Sequence, residues 1–168
     1  MDQNKLEIIG STEYVEIAGI EHVPAKIDTG ADSSSLWASQ IDVNREGTLS
    51  FVLFDKESPF YTGEVIKRQR DEYEVKIIRS GHGDERIRYS TELMLGVNGH
   101  VIHTMFTLAN RSRNNFPVLI GRRTLKDKFL VDVSKMAIVK ESNHNTPKLN
   151  LELEKDPYAF HQKYGKKM

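Results

Sequence analysis

The stretch AKIDTGADSSSLW, Ala25 to Trp37, places a carboxylate, a hydroxyl and a glycine in immediate succession. Val23, Ala25 and Ile27 alternate like a half-buried strand and lead into Asp28, a residue type that strands disfavour. Thr29, Gly30 and Ala31 follow. Gly30 allows a sharp turn that brings backbone N–H groups close to a carboxylate, and the Thr29 hydroxyl can bond locally or to a neighbouring chain. A carboxyl group held in this way can take or give a proton during attack on a carbonyl. On Asp-Thr-Gly alone, a strand end closed by an Asx or Ser/Thr turn accounts for the same residues.

The rest of the chain sets bounds on that chemistry. Its 168 residues suit one domain, read as 1–139, plus a polar C-terminal extension, 140–168. Lys and Arg total 24 and Asp and Glu total 24, so bulk charge favours neither nucleic acid nor an acidic partner. Cysteine is absent, which excludes thiol catalysis, disulfides and Cys-type zinc sites. No apolar run reaches membrane-spanning length. The first residues, MDQNKLEIIG, lack a basic segment followed by an apolar one; the compartment stays open, with the cytoplasm favoured.

The elements that must position Asp28 read as short strands punctuated by turns. Strands are expected at residues 6–9, 14–18, 23–27, 49–54, 60–66, 73–78, 87–95, 101–108, 129–133 and 136–139. Val97-Asn98-Gly99 is a hairpin turn, and 122–128 is the one helix candidate before residue 140. Many short strands with regular turn signals predict a β barrel or sandwich. Leu149, Leu151 and Leu153 could add an edge strand, and 154–168 a helix or an unanchored tail.

Two segments taken together resemble the retropepsins, the retroviral-type aspartic peptidases: Asp28-Thr29-Gly30-Ala31-Asp32, and Ile120-Gly121-Arg122 much later. The likeness extends to a bacterial family labelled ATP-dependent zinc proteases, retropepsin-like in fold and encoded near ribosomal-protein glutamate ligases. Its motifs correspond here to Ala25–Ala31, Ser80–Arg86, Phe116–Arg122 and Val131-Asp132, so the match covers residues 14–135. The resemblance implies a mainly β, retropepsin-like closed barrel with one short helix after the second motif. It also implies catalytic roles for Asp28, Thr29 and Gly30, and a substrate cleft lined by Ala31, Asp32, His82, Gly83 and Arg122. Asp32 and Arg122 are expected to form an ion pair within one subunit, and Ser80–Glu85 to be the tip of a flap hairpin. Because one chain carries one Asp-Thr-Gly, the implied shared-proton carboxyl pair requires a homodimer. The charged tip, with Arg86 and Arg88 on the next strand, suits a polar or acidic peptide, and the family's genomic association suggests a glutamylated one.

The family label also raises zinc, but His-Glu-x-x-His is absent, and His100 and His103 fall on opposite faces of a strand. No cofactor is therefore expected, with zinc the weaker alternative, and no phosphate-binding glycine loop is present. Trp37 is expected in the core, and Arg111 and Arg113 in a solvated loop with an acidic substrate as the alternative reading. The residues leave three functions standing: a dimeric aspartic-type peptidase, a peptide-binding module of the same fold without turnover, and a metal-dependent hydrolase.

Overall fold

The computed structural model describes residues 6–79, 83–138 and 146–165. The chain divides into two compact units, Met1–Ile138 and Val139–Met168. The first contains β1 (Glu7–Gly10), β2 (Thr12–Ile17), β3 (Ile20–Asp28), β4 (Ser34–Val43), β5 (Leu49–Leu53), β6 (Val65–Arg68), β7 (Tyr73–Arg79), β8 (Glu85–Val97), β9 (His100–Ala109), β10 (Val118–Gly121), α1 (Arg122–Leu125) and β11 (Phe129–Asp132).

Strands run in the order β10-β3-β2-β8-β9-β4, and β10 pairs again with β4, which closes the ring. The mainly β, closed barrel expected from the sequence is therefore what the chain forms. Alternation produces it. Leu36, Leu95, Phe106, Val118, Val23 and Ile17 face inward and are buried, and each contributes about 1.5–3 kcal/mol by leaving water. Residues between them face outward. Asn98 and Gly99 turn β8 into β9 with φ of 49° and 79°, the left-handed pair that a two-residue hairpin requires.

Two strand expectations and the extent of the helix are corrected. The strand begins at Val65 and runs on into Arg68, instead of spanning 60–66. Residues 55–61 instead form successive turns, in which Ser58 N–H donates to Asp55 O at 2.9 Å and Tyr61 N–H to Ser58 O at 3.2 Å. The apolar signal at Phe60 comes from packing on Phe54, with ring centroids 5.6 Å apart. Residues 136–138 form no strand; they are tied to β2 by Ala137 N–H to Thr12 O at 3.0 Å and by the Thr12 hydroxyl. Helix α1 stops at Leu125, where Lys126 leaves helical geometry.

The second unit is helical: α2 (Thr146–Lys155) and α3 (Pro157–Tyr164). Leu149, Leu151 and Leu153 thus lie on a helix and form no edge strand. Their alternation mimics a strand, but Lys, Leu and Glu are strong helix formers, and Pro147 stands in the first turn, where its missing N–H costs nothing. Asp156 caps α3 by accepting from Ala159 N–H at 3.0 Å.

Candidate active site

β3 and β10 lie parallel and end together, Gly121 level with Asp28. This brings the two motifs, far apart in the chain, to one end of the barrel. Gly121 is obligatory for the approach: a Cβ there would lie 2.6 Å from the carbonyl carbon of Ser33. Behind it, Arg122 N–H donates to Ala31 O at 2.8 Å, so the start of α1 is stitched to the Asp28 turn.

Asp28 is 29% exposed and accessible from the barrel end. Its Oδ1 accepts from Gly30 N–H at 3.1 Å and Ala31 N–H at 3.2 Å, the turn geometry that Gly30 makes available. Its Oδ2 takes no backbone bond and faces Lys26 Nζ at 3.7 Å. The carboxyl group is fixed through one oxygen and presents the other.

Asp32 behaves differently. Arg122 Nε lies 3.1 Å from its Oδ1 and Arg123 Nη2 2.7 Å from its Oδ2. Partial desolvation pushes this carboxyl up, but the hydrogen bonds and charge of Arg123, then Arg122, prevail and hold it below the usual carboxylate value. The Asp32–Arg122 contact is within one subunit. Arg123 is a second partner that the motif reading missed, although a cation next to the motif arginine was the available signal.

Under the turn runs a chain of hydroxyls. Gly121 N–H donates to Ser34 Oγ at 3.1 Å, Ser34 Oγ meets Thr124 Oγ1 at 2.7 Å, and Thr124 Oγ1 meets Thr104 Oγ1 at 2.8 Å. Ser34 O also accepts from Thr107 Oγ1 at 3.1 Å. Satisfied in this way, buried hydroxyls hold neighbouring strands in one arrangement. Four hydroxyl residues on three elements gave no pattern in the sequence.

A cleft of about 740 Å³ opens over Asp28, lined also by Ser35, Thr107, Arg88, Arg111 and Leu119. Arg88 Nη1 donates to Ser35 Oγ at 3.4 Å, and Arg111 Nε to Phe116 O at 3.1 Å. Burial lowers the Arg111 pKa, the charge of Arg88 lowers it further, and Asp28 acts the other way. Burial also lowers that of Arg88, with the charge of Arg86 adding to it. Both remain cations at any ordinary pH. Poorly solvated like charges at one wall leave a cleft that favours an anion. Arg111 therefore belongs to the cleft, whereas Arg113 is exposed.

The other side of the same turn faces a groove of about 590 Å³, lined by Thr29, Asp32, Leu125, Phe129, Leu130 and Val131 among others. Leu130, on β11, is 53% exposed. Ala31 and Gly30 line the cleft with Asp28, and Arg122 lines the groove.

β7 and β8 form the hairpin before the second motif, with Arg79 opposite Glu85. Gly83 is exposed at its end. His82, with Ser80 and Gly81, lies outside the described residues. His100 and His103 are exposed on β9; His100 Nε2 sits 2.9 Å from Glu7 Oε1 and His103 Nδ1 3.5 Å from Glu92 Oε1. Among the described residues no three His, Asp or Glu side chains gather into a metal-ligating group. Trp37 packs against the core, edge-on to Phe54 at 6.2 Å.

A closed barrel with an Asp-Thr-Gly turn beside an Ile-Gly-Arg strand end has the layout of a retropepsin-like protein. The chain belongs to the RimB-like family, described as retropepsin-like aspartic endopeptidase RimB, which matches residues 8–142. A protein of Shewanella halifaxensis (strain HAW-EB4), named "Probable alpha-L-glutamate ligase", is 30% identical over 147 residues, 85% of this chain and 32% of that one. One of the same name from Desulfotalea psychrophila (strain LSv54 / DSM 12343) is 29% identical over 130 residues, 75% of this chain and 28% of that one. The chain thus spans less than a third of the length of these relatives. A solved structure of a protein of unknown function from Legionella pneumophila subsp. pneumophila str. Philadelphia 1 shares the fold, with a TM-score of 0.59 and 24% identity over 77% of this chain and 95% of that one. The family match supports the retropepsin-like part of the resemblance.

Proposed function

We propose that this chain is an aspartic-type amide hydrolase that works as a homodimer on acidic, glutamate-bearing peptides. The observation that carries the reading is Asp28: one carboxyl oxygen is locked by Gly30 and Ala31, the other faces Lys26, and the residue lines a cleft that also holds Arg88 and Arg111. In a two-fold dimer, two such carboxyl groups would meet. Like charges at hydrogen-bonding distance cannot both ionise, so the pair holds one proton. The ionised member takes a proton from water as its oxygen attacks the amide carbon. The protonated member gives its proton to the carbonyl oxygen. Collapse of the tetrahedral intermediate expels the amine, which takes the proton from the newly protonated member while the other member takes a hydroxyl proton of the diol, and the pair again holds one proton.

The second copy is the occupant that best fits the apolar groove, because Thr29, adjacent to Asp28, lines it and the chain supplies a single Asp-Thr-Gly. Arg88 and Arg111 support an acidic substrate. So does the name of the longer relatives, glutamate ligase, which points to glutamyl amides as the chemistry handled by this family's neighbours.

The test is turnover of a synthetic glutamate-rich peptide, followed by mass spectrometry, for wild type and Asp28→Asn. Cleavage by the wild type alone supports the reading; equal cleavage by both removes Asp28 from the mechanism. That the chain corresponds to only part of relatives named as ligases favours a second reading, a module that binds glutamyl peptides without cutting them. Binding of the same peptide with no product from the wild type would select it. Loss of turnover on adding a chelator would point instead to a metal-dependent hydrolase.

A further inference from the structure

A second cavity of about 270 Å³ adjoins the cleft, with Ser33, Lys76, Ser90, Arg123 and Lys128 in its lining. The two cavities share one floor. Thr107 and Arg88 line the cleft; their direct cross-strand partners, Ser90 and Lys76, line the second cavity. Ser33 lines both. Neighbouring strands lie about 4.8 Å apart, and side chains two residues apart on an extended peptide about 6.8 Å apart. One extended chain can therefore place successive same-face side chains in the two cavities.

Ser90 marks the second cavity as built to receive something. It is 1% exposed, and its Oγ has no hydrogen-bond partner, whereas the hydroxyls of Ser34, Thr107 and Thr124 nearby are all bonded. Buried hydroxyls without partners are rare and call for an explanation. The charges of the lining give the sign. Lys76, Arg123 and Lys128 face one carboxylate, Glu92, which is engaged with His103 at 3.5 Å. Lys76 Nζ lies 3.1 Å from Glu74 and Arg123 Nη2 2.7 Å from Asp32, while Lys128 Nζ donates to Lys126 O at 3.5 Å.

We infer that this cavity is a second carboxylate subsite, in which Lys76 and Ser90 Oγ bind the acidic side chain two residues along from the one held by Arg88 and Arg111. The inference rests on the acidic-peptide reading above and adds to it: recognition requires Glu-x-Glu, not a single Glu, and Lys76 and Ser90 determine that specificity.

The experiment compares two fluorescent peptides, identical except for Glu or Gln at the outer position of Glu-x-Glu, on wild type, Lys76→Met and Ser90→Ala, each checked for folding by circular dichroism. The quantity read is the Glu-over-Gln ratio of kcat/KM. We expect a ratio of about tenfold for the wild type, the scale of one charge-assisted contact. It should fall toward one in Lys76→Met and partway in Ser90→Ala. A wild-type ratio near one, or an unchanged ratio in Lys76→Met, overturns the subsite. If the wild type cuts neither peptide, the hydrolase reading fails; the same ratio is then read from dissociation constants by fluorescence anisotropy and decides the subsite by the same criterion.

Discussion

One turn, Asp28 to Asp32, separates two surfaces of opposite character. On one side lies the cleft, with Arg88 and Arg111 over Asp28. On the other lies the groove, where Leu125, Phe129, Leu130 and Val131 sit beside Thr29. The two carboxylates differ in the same way. Asp32 has both oxygens occupied by guanidinium groups. Asp28 has one oxygen occupied by backbone and the other facing the looser Lys26 ammonium at 3.7 Å. Residues of one type, four apart in one motif, thus have different fates: one is clamped between two arginines and the other lines the cleft. On the function proposed above, the cleft takes the acidic peptide and the groove takes the second copy of the chain.

Breaking the cleft side at its centre should have the largest effect. Asp28→Asn is expected to lower turnover of a glutamate-rich peptide by about 10³-fold or more, within the range of acid–base catalysis, with the melting temperature and oligomeric state kept. A drop of less than tenfold would contradict the assignment. The seam between the two sides comes next. Gly121→Ala forces a Cβ against Ser33 backbone that cannot yield and should cost about 1–3 kcal/mol in urea unfolding; an unchanged midpoint would mean that the turn is looser than its geometry.

Leu130→Glu attacks the groove alone. Leu130 is 53% exposed, so the subunit should fold. On the proposed homodimer, sedimentation is expected to show the variant dissociated at concentrations where the wild type pairs, with activity falling in parallel and recovering as concentration rises. Full activity from a monomeric variant would break the link between groove and chemistry. Arg111→Met should then raise KM for acidic peptides by about tenfold and blunt the salt dependence of binding, with a smaller change in kcat. Equal losses on neutral peptides would instead mean that Arg111 merely supports the loop through Phe116.

The smallest effect belongs to Asp32. Its pKa is lowered in the folded state, so the stabilisation it brings is present above the unfolded value of about 3.9 and is lost as pH falls through the folded value. Thermal melts of wild type and Asp32→Asn should differ slightly at neutral pH and converge as the pH falls below the ordinary carboxylate range. The gap should narrow in high salt, because the pair is exposed. A gap that widens on acidification would reverse the sign of the argument.

Most of the barrel strands are legible in their own alternation, the β8–β9 turn in Asn98-Gly99, and the retropepsin-like family in two short motifs. Where the residues mislead, the reasons are local. Leu149, Leu151 and Leu153 alternate, but sit among helix formers, so period and propensity disagree and propensity prevails. Phe60 is apolar because it packs on Phe54, not because it lies in a strand. Arg111 reads as a loop cation because nothing near it in the chain hints that barrel closure carries it over Asp28.

The linear order of residues determined the Asp28 turn, since Asp-Thr-Gly writes its own hydrogen bonds within four residues, and the strand pattern, since each strand's faces follow from its own alternation. Only the tertiary structure decided which arginines share a wall with Asp28, which hydroxyls brace Gly121, and that one side of the turn is apolar. Those are contacts between elements tens of residues apart. They depend on strand order and register, which are set when the barrel closes around its buried side chains and which no short stretch of chain encodes.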